Sequence, residues 1–309
     1  MTTDDARYLC TGVSWDDAGP YLALRSPGGV PERIRLDAGT PLAYRVLPGV
    51  DGALRHCLGS VKVQDRNSRI SEPCPVHSVA ERGYQCGPCF ARDDWRLVHN
   101  VHRSGIAPAG LKLYLAQPHW LYIATFADGS TKVGTAADGR KRLRLVEQGA
   151  VAARYVARAD DGRVVRILED LVTAEAGLVQ AVRSGTKTAA LAQPLAGAVL
   201  ERINATHAAT ARGVLAGAGL DGFTVVEDSW EPPAQARKVL QAAAAVAYPL
   251  DPGAGEHGVV IEAMAGAAAL VTVDGSETPF LADLARLKGR RLQLGAYRSQ
   301  LPALQSALF

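Results

Sequence analysis

The chain has 309 residues, of which 48% are hydrophobic and 21% charged, a composition of ordinary globular proteins long enough for two or three units. Its 34 basic residues stand against 31 acidic ones, a net charge of +3, which is too even to imply a polyanionic partner by itself. No apolar run escapes interruption by Arg, Glu, Asp or Pro long enough to cross a bilayer, so no membrane association is expected.

The opening MTTDDARYLC has neither a basic nor an apolar leader region, which predicts a cytoplasmic protein. In that reducing compartment the five cysteines read as thiols or metal ligands rather than disulfides. Residues 1–56 contain short alternating runs, YLALRS, ERIRLD and LAYRVL, broken by Gly, Pro and Asp, and read as a small β module. Cys10 within it reads as a small buried hydrophobe.

From 57 to 108 the chain is irregular, polar and rich in cysteine, as in a loop region held by metal rather than by an apolar core. Cys86-Gly-Pro-Cys89 has the two-residue spacing of a zinc knuckle, and Cys74-Pro-Val-His77 forms a second. Cys74, Cys86 and Cys89 are three ligands of a structural Zn2+ site, and the fourth is either His77 or the upstream Cys57. His99 and His102, three residues apart without a nearby carboxylate, read as surface residues.

Residues 109–195 form the strand-rich core. WLYIATFA and TKVGTA flank an Asp-Gly turn and predict an antiparallel hairpin, with Tyr122 on its first strand and Gly134 near the end of its second. A helix follows, capped by Asp138, with Arg140, Lys141, Arg142 and Arg144 outward, Leu143 and Val146 inward, and Gly149 at its end. Next come a strand, AARYVARA, and a helix near 164–184. The segment 132–166 is locally basic. Residues 196–247 are Ala-rich and predict helices, and 248–309 return to strands and Gly turns as a small β unit that could pair with the N-terminal strands. The fold class expected is α+β.

Leu121-Tyr122, Val133-Gly134 and an arginine-rich helix, in this order and spacing, resemble the GIY-YIG nuclease core. With the preceding cysteines and the terminal Gln148-Gly149-Ala150, the chain also resembles the uncharacterised bacterial family named domain of unknown function 2797, over roughly residues 50–200. The resemblance implies a small sheet with flanking helices, a zinc-ribbon-like insertion and short β segments at both termini. It favours Cys57 as fourth zinc ligand, because an upstream cysteine followed by Gly precedes the Cys-Pro pair in that family.

By the nuclease resemblance Tyr122 is a general base with a phenol pKa lowered by Lys132 or Arg142, Arg142 grips phosphate, and Glu169 holds a catalytic Mg2+ or Mn2+. Lys132, Gly134, Arg140, His119 and Gln148 complete a substrate-binding surface. Trp120 and Lys132 replace the glycine and tyrosine of the two motifs, and Asn204 is the remote candidate for the family's asparagine. Two functions follow as expectations: a metal-dependent phosphodiester hydrolase acting on DNA or RNA, or a zinc-containing module that binds nucleic acid without cleaving it.

Overall fold

The computed structural model describes residues 7–49, 55–242 and 244–302. Four strands open the chain: β1 (Arg7–Asp16), β2 (Gly19–Arg25), β3 (Pro31–Arg35) and β4 (Pro41–Val46). The cysteine-bearing region holds the hairpin β5 (Ser60–Val63) and β6 (Arg69–Glu72), then the short helices α1 (Gly87–Arg92), α2 (Val101–Ser104) and α3 (Ala109–Leu115). The hairpin β7 (His119–Thr125) and β8 (Thr131–Ala137) precedes α4 (Lys141–Gln148), β9 (Ala152–Ala159) and α5 (Gly162–Ala176). Then come α6 (Ser184–Ala190), α7 (Gly197–Ala216), β10 (Phe223–Trp230) and α8 (Ala234–Leu240). The described chain ends with β11 (Val246–Ala247), β12 (Gly255–Ala265), β13 (Ala268–Thr272), β14 (Phe280–Asp283) and β15 (Arg291–Leu294). The fold is mixed α+β.

Both ends of the chain build one sheet. Its nine strands run β11-β14-β13-β12-β4-β15-β1-β2-β3, so β4 lies between two C-terminal strands and β15 pairs with β1. The alternation seen in the N-terminal runs has its cause here: Leu22, Leu42 and Tyr44 alternate inward and meet Ile261, Met264, Phe280 and Leu292 in one core.

The second sheet, β10-β9-β7-β8, carries the candidate site. Leu121, Ile123 and Val133 on one face pack against Val165, Leu168 and Val172 of α5 and against Ala208, Ala211 and Leu215 of α7. The alternate residues Tyr122, Ala124 and Ala136 face the other way, toward Leu145 of α4 and Trp230. Leu143 and Val146 of α4 lean on the core of the nine-stranded sheet, and Ser14 of β1 donates to the Glu147 carboxylate at 3.2 Å. One helix thus joins the two sheets.

Strand β10 lies between the two Ala-rich helices, in a stretch where the sequence pattern points to helix. FTVVEDSW lacks the alternation of a half-buried strand because it is a largely exposed edge, and its register shifts between Val225 and Asp228. Asp138 is also placed otherwise than expected. It begins a 3-10 turn ahead of α4, and its carboxylate accepts the Trp120 indole N–H at 2.6 Å instead of capping the helix.

Asn204 of α7 is fully buried. Its amide donates to the Ile123 carbonyl at 3.1 Å, the Thr125 hydroxyl at 3.0 Å and the Ala152 carbonyl at 3.4 Å, while its oxygen accepts from Arg154 at 2.8 Å. The residue therefore ties α7 to two strands of the sheet rather than serving a ligand. Asn204→Ala is expected to cost about 3 kcal/mol, from a cavity plus orphaned polar groups, measured as a shift in urea midpoint; a loss under about 1 kcal/mol would refute this structural role.

Candidate metal centre and arginine-lined cleft

The sulfurs of Cys57, Cys74, Cys86 and Cys89 all lie within 4.8 Å of one another, and all four residues are buried. Cys57 and Cys86 are 3.6 Å apart and Cys74 and Cys86 3.9 Å apart, against about 3.8 Å for two thiolates at the corners of a zinc tetrahedron with 2.3 Å bonds. The four cysteines could hold a metal ion such as zinc.

Local backbone geometry aims them inward. The N–H groups of Gly59 and Cys86 donate to the Cys57 sulfur at 3.3 and 3.2 Å. Gly59 has φ +88°, and a Cβ there would collide with the Glu72 carbonyl, so only glycine lets the β5–β6 hairpin close over the site. Burial pushes all four thiols up, and hydrogen bonds to the charged form oppose it. At Cys74 the Ser78 N–H and hydroxyl and the Val76 N–H win, bringing the thiol down to about 6. Cys86 is also lowered, whereas Cys57 and Cys89 are raised. Sulfurs this close cannot all ionise without a cation among them.

His77 stays outside this group. Its N–H closes the Cys74 turn by donating to the Cys74 carbonyl at 3.2 Å, its backbone is left-handed at φ 46°, and its side chain is exposed. The fourth sulfur belongs to Cys57, about thirty residues upstream of Cys86 and reachable only through the fold.

On the second sheet, Tyr122 pairs directly with Gly134 across the β7–β8 hairpin. A Cβ at Gly134 would stand 2.5 Å from the Tyr122 hydroxyl oxygen, so the tyrosine lies flat over the glycine. Gln148 donates to that hydroxyl at 2.6 Å. The Lys132 ammonium sits 5.8 Å from the Tyr122 ring centre and donates to the Gln180 carbonyl at 3.1 Å. Glu169, also buried, pairs with Arg166 at 2.5 Å and acts electrostatically on both Tyr122 and Lys132. Tyr122, Lys132, Gly134 and Gln148 are therefore neighbours, and Glu169 acts on two of them through space.

Two expectations for this group differ from the structure. Burial raises the Tyr122 phenol, outweighing Arg144 and the Gln148 hydrogen bond that lower it. Its hydroxyl is thus a neutral partner of Gln148, not an ionised base. The arginine acting on Tyr122 is Arg144, while Arg142 is exposed and acts on Tyr155 instead. Helical spacing separates the two by about 200°, and α4 turns its Arg144 side to the cleft.

That cleft, about 390 Å³, lies where the cysteine-bearing region meets the second sheet. Arg69 comes from β6, Arg140 from the 3-10 turn ahead of α4, Arg144 from α4, and Arg166 from α5. Trp95, Tyr114 and His119 also line it, with Trp95 edge-on to Tyr114 at 4.9 Å and Tyr114 edge-on to His119 at 5.5 Å. His119 is buried, with Nδ1 2.8 Å from the Gln117 carbonyl, and burial followed by Arg166 lowers its pKa. It is the one of the expected substrate-binding residues, besides Arg140, that lines the cleft. Arg140 is held by Glu147 at 2.6 Å. Arg69 and Arg166 lay outside the candidate set, because they sit on separate elements that only the fold brings together.

Residues 85–207 match the family model described as a protein of unknown function (DUF2797). No curated protein and no solved structure matches the chain. The DUF2797 segment takes in Cys86 and Cys89, the β7–β8 hairpin, α4, β9 and α5, and extends into α7, whereas Cys57, Cys74 and Arg69 precede it.

Metal analysis is expected to find one tightly held ion per chain, kept in His77→Ala and lost in Cys86→Ser; an equal loss in both would reinstate His77. The amines of Lys132 and Lys187 are each brought down to about 8, first by burial and then by Arg144. An unfolded lysine keeps its proton up to about 10.5, so below about pH 8 both amines carry the full penalty of buried charge. Between about 8 and 10.5 the unfolded chain binds more protons, and these two groups add stability as pH rises. NMR of methyl-labelled lysines should show two amines titrating near pH 8; midpoints above 10 would refute it.

Proposed function

We propose that this protein binds nucleic acid through the arginine-lined cleft and that a structural Zn2+ on Cys57, Cys74, Cys86 and Cys89 holds one wall of that cleft in place. The observation that carries the reading is the charge of the cleft. Four guanidinium groups from four elements converge on it, and two of them, Arg69 and Arg144, have no carboxylate partner among the described residues. Planar guanidiniums suit phosphate oxygens, and Trp95 and Tyr114 offer aromatic surface for a base. Four sulfur donors near tetrahedral spacing are the donor set of structural zinc.

A second reading keeps the hydrolase. We read β7, β8, α4, β9 and α5 as a GIY-YIG-like core, supported by the direct pairing of Tyr122 with Gly134 and by the nearness of Glu169. Against cleavage stand the buried neutral phenol of Tyr122 and the engagement of Glu169 by Arg166. In the hydrolase reading Glu169 takes Mg2+ or Mn2+ only after leaving Arg166.

The experiment is fluorescence anisotropy with labelled single-stranded and duplex DNA and RNA over a salt series, with and without Mg2+ or Mn2+. Binding is expected to weaken with salt, and Arg144→Ala should lower both affinity and salt slope. Tyr122→Phe should lower affinity less than Arg144→Ala does, because its hydroxyl acts only by seating, through Gln148, the helix that carries Arg144. Absence of binding to every probe would reject the reading, and metal-dependent cleavage abolished by Glu169→Gln would establish the hydrolase instead.

A further inference from the structure

We infer that the cleft recognises a phosphomonoester dianion, the terminal phosphate of a nucleic-acid strand, rather than the internal phosphodiesters of a strand running through. This rests on the nucleic-acid reading of the same cleft and narrows it to one chemical group.

Charge matching carries the inference. Of the cleft's four guanidiniums, Arg140 is neutralised by Glu147 at 2.6 Å and Arg166 by Glu169 at 2.5 Å. Arg69 and Arg144 remain, two guanidiniums on one cavity with no carboxylate in ion-pair contact among the described residues. Asp138, on the Trp120 indole, and Asp161, on the N–H groups of Arg163 and Val164, act on His119 through their negative charge, but neither forms an ion pair with Arg69 or Arg144. A phosphodiester carries one negative charge, whereas a terminal phosphate at neutral pH carries nearly two and three free oxygens. Two guanidiniums without a carboxylate partner fit the second better.

Shape agrees with charge. About 390 Å³ is the volume of a cleft for a small organic ligand, enough for an end nucleotide and far short of a duplex. The cleft's extension, about 310 Å³, shares Arg69, Trp95, Tyr114 and Arg140 with it and adds Arg66 and Asn67. A strand end seated at Arg144 would lead outward along Trp95 and Tyr114, where its first bases meet aromatic surface.

The test uses the full chain and short single strands of one sequence carrying a 5′-phosphate, a 3′-phosphate or hydroxyls at both ends. Affinity for one phosphorylated form is expected to exceed that for the hydroxyl form by at least about tenfold, the effect of one or two charge-assisted hydrogen bonds. Arg144→Ala and Arg69→Ala, both at exposed side chains, should remove that preference while unfolding midpoints stay unchanged. A nucleoside monophosphate should compete where the nucleoside does not. Equal affinity for all three strands would overturn the end-phosphate inference and leave nucleic-acid binding standing. No binding by any strand would overturn both, and direct binding of inorganic phosphate without strand binding would assign the cleft to free phosphate instead.

Discussion

Four sulfurs within 4.8 Å of one another repel as they ionise, and a metal ion such as zinc, which they could hold, would turn that repulsion into a local constraint. The cysteine cluster and the cleft are linked by a short stretch of chain. Cys89 ends the metal set inside α1, and Asp93 follows directly, accepting the N–H groups of Val61 and Trp95 and the Gln85 amide. Asp94 accepts the Val63 N–H at 2.9 Å and the Lys62 amine at 3.2 Å. These two buried carboxylates carry the position of the cysteine knuckles into Trp95, the aromatic wall of the cleft. The β5–β6 hairpin bonded to the same aspartates presents Arg69 from the other side.

The opposite wall is built by sheet geometry. Tyr122 can lie across β8 only because Gly134 has no side chain, and its hydroxyl then receives the Gln148 amide from the end of α4. Lys187 donates to the Gln148 carbonyl at 3.0 Å, drawing α6 into the same network. Seating α4 in this way turns Arg144 toward the cleft and Arg142 toward solvent. Tyr122 is therefore a positioning residue for the arginine helix, and its burial accounts for a raised rather than lowered pKa.

Much of this was legible as local pattern. The Asp-Gly hairpin, the helix ending at Gly149, the AARYVARA strand and the Cys86–Cys89 knuckle are each specified by residues close together in sequence, where turn chemistry and side-chain period act directly. Less legible was whatever depends on sequence-distant partners. Strand β10 was obscured because an exposed edge imposes no alternation on its side chains. Spacing alone left Cys57 and His77 open as the fourth donor; the family resemblance favoured Cys57, and the fold places its sulfur with the other three.

The sequence by itself determined the α+β class, the cysteine-bearing region, the hairpin that carries Tyr122 and Gly134, and the basic helix, because each follows from local periodicity, turn residues and donor chemistry. Only the tertiary structure decided that the two ends of the chain share one nine-stranded sheet, that Arg144 rather than Arg142 faces Tyr122, and that Arg69 and Arg166 join it in one cleft. The physical reason is that charge and hydrogen bonding act through space over a few ångströms. Which residues come that close is set by how the sheets and helices pack, and residues 69, 144 and 166 have no relation in sequence until they do.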